Sequence, residues 1–254
     1  MVGVAAGLAS EGYNVITTTF APFQTARCCE QIKVNAGYMK QKLCMVGLAS
    51  GLALGNLGFT HCCIEDIGIL RSIPNIQIVS PADSFETIKA LNAAVNSKKS
   101  TYIRLTGSAN NPIIYNQDYN FEIGKSIKLK SGKDLTLFCS GAMVSTCLEV
   151  AKKLAELKIS CSVINMHTIK PIDKDAIKNA SETSKLIVSV EEHNVIGGLG
   201  SAISEQLVKL KSRSTMLIIG INDQYVKGGS YNYLKNKYEL SSDKIIEKIK
   251  INIG

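Results

Sequence analysis

The sequence predicts an α/β protein of two doubly wound domains, and three features of its 254 residues lead to this expectation. Residues 2–105 alternate between short runs rich in Val, Ile and Thr and longer runs with helical periodicity, as in a mostly parallel sheet. Residues 107–133 are polar and rich in turn-forming residues, and residues 135–250 return to the alternation. We therefore expect a first domain with its linker over 1–123 and a smaller α/β domain over 124–254.

The first domain begins with small apolar residues that predict a buried helix, ended by Gly12. Continuous apolar runs then predict buried parallel strands, and Asp83 or Ser84 is expected to cap the longest helix. The expected order is helix 2–11, strand 14–20, helix 23–32, strand 43–48, helix 64–72, strand 76–79, helix 84–96 and strand 101–105.

The second domain shows the same alternation over shorter segments. The expected order is strand 135–139, helix 144–157, strand 160–165, helix 173–183, strand 186–191, helix 198–210, strand 216–219 and helix 243–250.

Composition excludes several classes of protein. The formal net charge of +8 comes from scattered lysines, without the basic and aromatic stripe of a nucleic-acid-binding surface. The eight cysteines include two adjacent pairs and no Cys-x-x-Cys spacing, which favours reduced thiols in a cytoplasmic protein. Residues 1–9 lack the basic start of a signal peptide, and glycine interrupts the longest apolar runs, so we expect no membrane association.

Ligands of open α/β sheets bind beyond the carboxyl ends of the strands, so the loops at 19–24, 49–63 and 104–108 are the candidate sites. Phe20 and Phe23 lie three residues apart in the first of these loops. Two aromatic rings at this position can present a flat face to the ring of a cofactor. Core packing is the alternative interpretation, and the spacing alone favours it.

The second loop is rich in glycine and contains His61 at the entrance of a helix. Glycine lets a ligand approach the backbone closely, and an imidazole can hydrogen-bond hydroxyl or carbonyl groups. A buried histidine with satisfied hydrogen bonds is an equally good interpretation.

Two later motifs carry weaker signals. Residues 197–200 resemble part of a dinucleotide fingerprint, but their spacing favours close packing of a helix on a sheet. Residues 191–193, with the sequence Glu-Glu-His, have no metal-ligand spacing and predict an interface or ion-pair feature.

The order of these motifs resembles the transketolase family. Its pyrimidine-binding domain is similar to the runs at 1–9, 19–23, 30–32, 58–61, 64–66, 70–75, 80–83 and 102–105. Its C-terminal domain is similar to the runs at 139–141, 169–171 and 191–200. The Thr-His-x-x-Ile-Glu-Asp run and the Ile-Pro-Asn turn favour the C-terminal subunit of a split transketolase.

This resemblance implies a thiamine-diphosphate enzyme that transfers a two-carbon ketol group between sugar phosphates. Phe23, with Phe20 beside it, would contact the aminopyrimidine, and His61 would hydrogen-bond the sugar. An N-terminal transketolase subunit would hold the diphosphate through Mg²⁺, giving a heterotetramer with no metal ligand from this chain.

The sequence departs from the family pattern in three places. The activating glutamate of the family stands just before the position of Met1, so we expect an N-terminally truncated chain. Gly107 stands where many relatives carry an arginine that grips the substrate phosphate. Arg104 remains nearby as a cation, and a structural role within its strand is an equally good interpretation. Ala49 and Leu57 stand where full-length transketolases have polar residues.

Three alternatives to a split transketolase stay open. The chain is a non-catalytic subunit, half of a deoxyxylulose-phosphate synthase, or a 2-oxo-acid dehydrogenase β subunit.

Overall fold

The computed structural model describes residues 1–108, 111–211 and 213–253. It contains two five-stranded sheets with helices on their faces, one formed mainly by the first half of the chain and one by the second. This is the two-domain, mostly parallel α/β fold that the sequence predicts. Among the described residues, no helix is both long and apolar enough to cross a membrane.

The strands and helices follow one another, with longer irregular segments at 51–65, at 111–126 and at 222–230. The helices are α1 Val2–Ser10, α2 Ala21–Gln24, α3 Cys29–Gln31, α4 Asp66–Arg71, α5 Ser84–Asn96, α6 Met143–Glu156, α7 Lys174–Thr183, α8 Leu199–Leu207, α9 Tyr231–Lys237 and α10 Ser242–Asn252. The strands are β1 Val15–Phe20, β2 Leu43–Ser50, β3 Ile76–Val79, β4 Ser100–Thr106, β5 Ile127–Lys130, β6 Leu135–Cys139, β7 Cys161–Asn165, β8 Thr168–Lys170, β9 Leu186–Asn194 and β10 Thr215–Ile221.

The first sheet has the order β1-β2-β4-β3-β8, and all its pairs are parallel except β3 with β8. Phe20, the last residue of β1, lies opposite Leu48 of β2. Because these strands are parallel, the loops that follow β1 and β2 leave the sheet at the same edge.

The second sheet has the order β10-β9-β6-β7-β5 and is parallel except for the edge strand β5. Its apolar core extends into the first domain, because Leu52, Cys62 and Ile64 from the loop after β2 belong to the same buried cluster as Val226 and Leu234. The two domains therefore share a core around this loop.

Several expected elements need correction. The helix expected at 23–32 is a series of short segments: α2, a 3-10 turn Ala26–Cys28, α3 and a π-helix Ile32–Tyr38. The break lies at Thr25, whose hydroxyl donates to the Ala21 carbonyl at 2.6 Å and whose backbone leaves helical geometry. Strands β5 and β8 and helix α9 were not expected, because each is short and carries polar residues.

Helix α1 ends as expected at Gly12, which has a φ of +89°. It is not a buried helix, however. Val2, Ala5 and Ala6 face the core, whereas Val4 is 72% and Leu8 47% exposed on the opposite face. Helix α1 is therefore apolar on both faces, and the face with Val4 and Leu8 lies open to solvent.

Candidate functional site

Phe20, Phe23 and His61 come together at the shared edge of β1 and β2. The ring centroids of Phe20 and Phe23 lie 6.2 Å apart, and the His61 ring lies 6.0 Å from Phe20 and 5.2 Å from Phe23. All three contacts are edge to face, the arrangement that aromatic rings prefer. Phe20 is 38% exposed and the other two are half-buried, so the cluster opens to the surface.

Arg27 covers one face of the Phe23 ring, with its guanidinium carbon 3.9 Å from the ring centroid. Arg27 is exposed, so this cation–π contact is worth about 0.5–1 kcal/mol and can be displaced. The guanidinium is planar, which makes the Phe23 face a surface on which a flat, delocalised group already packs. The residues of this edge therefore fit an aromatic ring such as an aminopyrimidine.

His61 is oriented by its own loop. The hydroxyl of Thr60 lies 3.0 Å from Nδ1, and the backbone N–H of His61 donates to the Gly58 carbonyl at 3.0 Å. Within the described part of the chain no hydrogen bond engages Nε2, so this nitrogen can bond a ligand at the cluster surface. The half-buried position excludes the interpretation of His61 as a fully buried core histidine.

Arg104 does not face this cluster. Its Nε donates to both carboxylate oxygens of Asp66, at 3.0 and 2.9 Å, and Tyr102 donates to the same carboxylate at 2.8 Å. The side chains of Arg104 and Asp66 are 3% and 0% exposed. Burial by itself lowers the pKa of Arg104, but Asp66, Tyr102 and Glu192 together more than compensate and the pKa is raised. The structural interpretation of Arg104 is therefore confirmed.

The glycines at 197–200 serve packing, as expected. A Cβ on Gly200 would meet Ile218 at 2.6 Å and Ser189 at 2.7 Å, both on strands below α8. The Glu191 carboxylate caps this helix, accepting from Leu199 N–H at 2.6 Å and Gly200 N–H at 2.8 Å. Burial raises the pKa of Glu191 to about 7 although these two bonds oppose the change.

His193 joins the two domains. Its Nδ1 donates to the Asn194 carbonyl at 2.6 Å, and its Nε2 accepts from Gly68 N–H at 3.3 Å and lies 3.8 Å from Asp66. Burial lowers the pKa of His193 to about 4, so the ring is neutral at pH 7. The interface expected from residues 191–193 is confirmed.

Two of the three departures from the family pattern, Gly107 and the pair Ala49 and Leu57, have local structural consequences. Gly107 has a φ of +81°, and a Cβ there would lie 2.7 Å from Ala142 Cβ, so this backbone does not accommodate an arginine. Ala49 has a φ of +52°, a strained conformation for alanine at the end of β2. Leu57 is 55% exposed and adds an apolar side chain near the site.

Two features of the site were missed from sequence. Arg27 was overlooked because its approach to Phe23 depends on the segmented geometry after Thr25. The contact between Glu192 and Leu52 was missed because it joins residues 140 positions apart. The pair of adjacent acidic residues at 191–192 was the feature of the sequence that pointed to it.

Comparison with known proteins accounts for both halves of the chain. Residues 1–111 match the model of the transketolase pyrimidine binding domain, and residues 124–245 match that of the transketolase C-terminal domain. The boundary at 123/124 stays a prediction.

Similar proteins include one of the subunits of the apulose-4-phosphate transketolase of Actinobacillus succinogenes, 36% identical over 97% of this chain and 79% of that protein. A putative transketolase C-terminal section of Methanocaldococcus jannaschii is 35% identical over 98% of this chain and 78% of that protein. A solved split-gene transketolase, described as an inactive β4 tetramer, is 32% identical with a TM-score of 0.89, covering 99% of this chain and 79% of that one. The chain thus belongs to the thiamine-diphosphate-dependent transketolase family, among relatives named as separate subunits or C-terminal sections of split enzymes.

Proposed function

We propose that this chain is the C-terminal subunit of a split transketolase, which transfers a two-carbon ketol group from a ketose or ketose phosphate to an aldose or aldose phosphate. The observation that supports this most strongly is the cluster of Phe20, Phe23 and His61 at one edge of the first sheet. Bound thiamine diphosphate supplies the nucleophile and the electron sink for breaking the carbon–carbon bond beside a ketose carbonyl. The residues of this chain bind the pyrimidine and orient the sugar.

Phe23 would offer its ring face to the aminopyrimidine in place of the Arg27 guanidinium, with Phe20 beside it. This packing removes water from the flat ring and fixes its orientation relative to His61. The cofactor fits because the cluster is apolar, partly exposed and lined by flat groups.

His61 hydrogen-bonds a sugar oxygen through Nε2. Thr60 engages Nδ1 at 3.0 Å, which fixes the ring orientation. A hydrogen bond from a positioned imidazole stabilises negative charge that develops on the sugar oxygen as the bond breaks.

A diphosphate-binding subunit completes the site. Relatives named as one of several subunits, or as a C-terminal section, support a partner, and the exposed apolar face of α1 suits it because Val4 and Leu8 lie open to solvent. We assign the diphosphate and Mg²⁺ to this partner and expect a heterotetramer in the cytoplasm.

This chain offers no free cation at the two positions considered for the substrate phosphate. Gly107 carries no cation, and Arg104 is paired with Asp66 away from the cluster. Ala49 and Leu57 offer no hydrogen bonds to a sugar chain. We therefore expect fewer contacts from this chain to the sugar and its phosphate than in relatives that carry an arginine and polar residues at these positions.

The test is reconstitution of this chain, carried on an N-terminal extension that supplies the activating glutamate of the family, with the diphosphate-binding subunit, thiamine diphosphate and Mg²⁺. We expect ketol transfer from xylulose 5-phosphate to ribose 5-phosphate, and a loss of about 10²-fold or more in kcat for His61→Ala. Condensation of pyruvate with an aldehyde phosphate would instead indicate a deoxyxylulose-phosphate synthase. Stable assembly without turnover of any substrate would indicate a non-catalytic subunit.

A further inference from the structure

Glu192 lies in the second domain but hydrogen-bonds the loop that carries His61. The residue is 2% exposed, at the end of β9. Its Oε1 accepts from the backbone N–H of Leu52 at 2.6 Å, and its Oε2 accepts from the Tyr231 hydroxyl at 2.7 Å. The carboxylate therefore links α9, β9 and the start of the glycine-rich loop.

The approach of Glu192 requires glycine at the position before Leu52. Gly51 has a φ of +71°, and a Cβ on it would lie 2.8 Å from the carboxyl carbon of Glu192. Residues Gly51 and Cys63 close the loop by exchanging two backbone hydrogen bonds, of 2.8 and 3.0 Å. Arg104 donates to the carbonyls of Cys63 and Glu192 at 3.2 and 3.0 Å, so the loop is held to the second domain at both ends.

A ladder of hydrogen bonds runs from Leu52 to His61. Gly55 N–H donates to the Leu52 carbonyl at 2.9 Å, Gly58 N–H donates to that of Gly55 at 3.0 Å, and His61 N–H donates to that of Gly58 at 3.0 Å. Each bond closes a tight turn that begins where the previous one ends. The residue that Glu192 anchors is the first member of this ladder, and His61 is the last.

We propose that Glu192 is a positioning residue for His61, acting through Leu52 and the three turns that follow it. The second domain thereby orients the functional loop of the first. The catalytic consequence rests on the proposed function of His61, whereas the structural coupling does not depend on it.

The coupling is tested on the full chain by amide hydrogen exchange. Glu192→Ala is expected to accelerate exchange in residues 51–63 by about tenfold or more, because the Leu52 N–H loses its acceptor and the loop opens locally. Residues 135–139 in the centre of the second sheet should keep their wild-type rates. Glu192→Gln keeps an acceptor oxygen, so exchange in residues 51–63 should return to within about threefold of the wild-type rate.

Glu86 provides a matched control. It is also a buried glutamate that accepts from a backbone N–H, of Ala82 at 2.6 Å, and from a tyrosine hydroxyl, of Tyr119 at 2.8 Å, but it lies in α5. Glu86→Ala should leave exchange in residues 51–63 unchanged. An equal acceleration there, or wild-type exchange in Glu192→Ala, would overturn the proposal.

A second readout follows His61 itself. The rings of Phe20 and Phe23 lie 6.0 and 5.2 Å from the His61 ring, so their ring currents should shift the His61 Cε1–H resonance. This shift should collapse towards that of a free imidazole in Glu192→Ala and return in Glu192→Gln. If Glu192→Ala does not fold, Tyr231→Phe is the second variant, because it removes one hydrogen-bond donor to the Glu192 carboxylate. It should give a smaller acceleration of exchange in residues 51–63 and a smaller change of the His61 resonance. A normal loop and a normal His61 resonance in that variant would contradict the proposal.

The reconstituted enzyme then separates this inference from the proposed function. Loss of kcat at unchanged KM in Glu192→Ala, with recovery in Glu192→Gln, would support both. Local loop opening in an assembly that never transfers ketol groups would leave the coupling intact and remove the proposed function.

Discussion

Replacing Phe23 by alanine distinguishes a cofactor-binding ring from a core ring. The variant removes the edge contacts with Phe20 and His61 and the cation–π contact with Arg27. If the aminopyrimidine packs on this ring, the complex with the partner loses about 0.5–1.5 kcal/mol of aromatic interaction together with some buried apolar area. The dissociation constant of thiamine diphosphate should then rise by about tenfold.

The effect on stability should be smaller than for a core phenylalanine. A fully buried phenylalanine loses about 3–5 kcal/mol on truncation, but Phe23 is half-buried and should lose about 1–2 kcal/mol. Phe85 is equally half-buried, on α5, and packs on Tyr119 instead. Phe85→Ala is the matched control, expected to lower stability without changing cofactor affinity.

The assay combines calorimetric titration of thiamine diphosphate into the assembled complex with urea denaturation of this chain alone. Phe23→Leu preserves apolar volume without a flat face, so it should retain most of the stability and still weaken the cofactor complex. An unchanged dissociation constant in Phe23→Ala, together with a large loss of stability, would refute the cofactor role and return Phe23 to core packing.

Four further predictions concern the supports of the site and the partner surface. Asp66→Ala should cost about 3–5 kcal/mol in urea denaturation, since it leaves the Arg104 guanidinium buried without its partner; a cost below about 1 kcal/mol would contradict this. Gly200→Ala should cost about 1–3 kcal/mol by overpacking, and wild-type stability would show that α8 can move. Gly7→Ala enters open space, so it should stabilise the isolated chain by about 0.5–1 kcal/mol yet weaken assembly with the partner; unchanged assembly would remove α1 from the interface. Because burial lowers the pKa of His193 to about 4, the contribution of this residue to stability should be lost as pH drops from about 6.5 to about 4, so the wild-type chain should lose more stability over this range than His193→Gln does; equal losses would contradict this.

The fold could be predicted because its signals are local. Apolar runs identify the buried parallel strands β2 and β6, and Asp83 identifies the start of α5, where its carboxylate accepts from Glu86 N–H at 2.8 Å. The edge strands β5 and β8 were missed because their formation depends on pairing with distant strands. Short polar segments of this kind carry little intrinsic signal.

The candidate site could be predicted to a similar extent. Phe20, Phe23 and His61 were identified separately, from loops at strand ends, and the parallel pairing of β1 and β2 explains why they meet. Their roles remain predictions. The sequence indicated an interface feature at 191–193, but the contact of Glu192 with Leu52 could not be anticipated, because a hydrogen bond across 140 residues depends on how the two domains pack.

The role of the aromatic cluster can be observed directly in a structure of the chain assembled with its diphosphate-binding subunit and thiamine diphosphate. We predict that the aminopyrimidine lies on the Phe23 ring at about 3.5–4 Å, the usual contact distance of carbon atoms, with Arg27 displaced and His61 facing the reacting end of the cofactor. A cofactor bound elsewhere, with Arg27 still covering Phe23, would contradict this role.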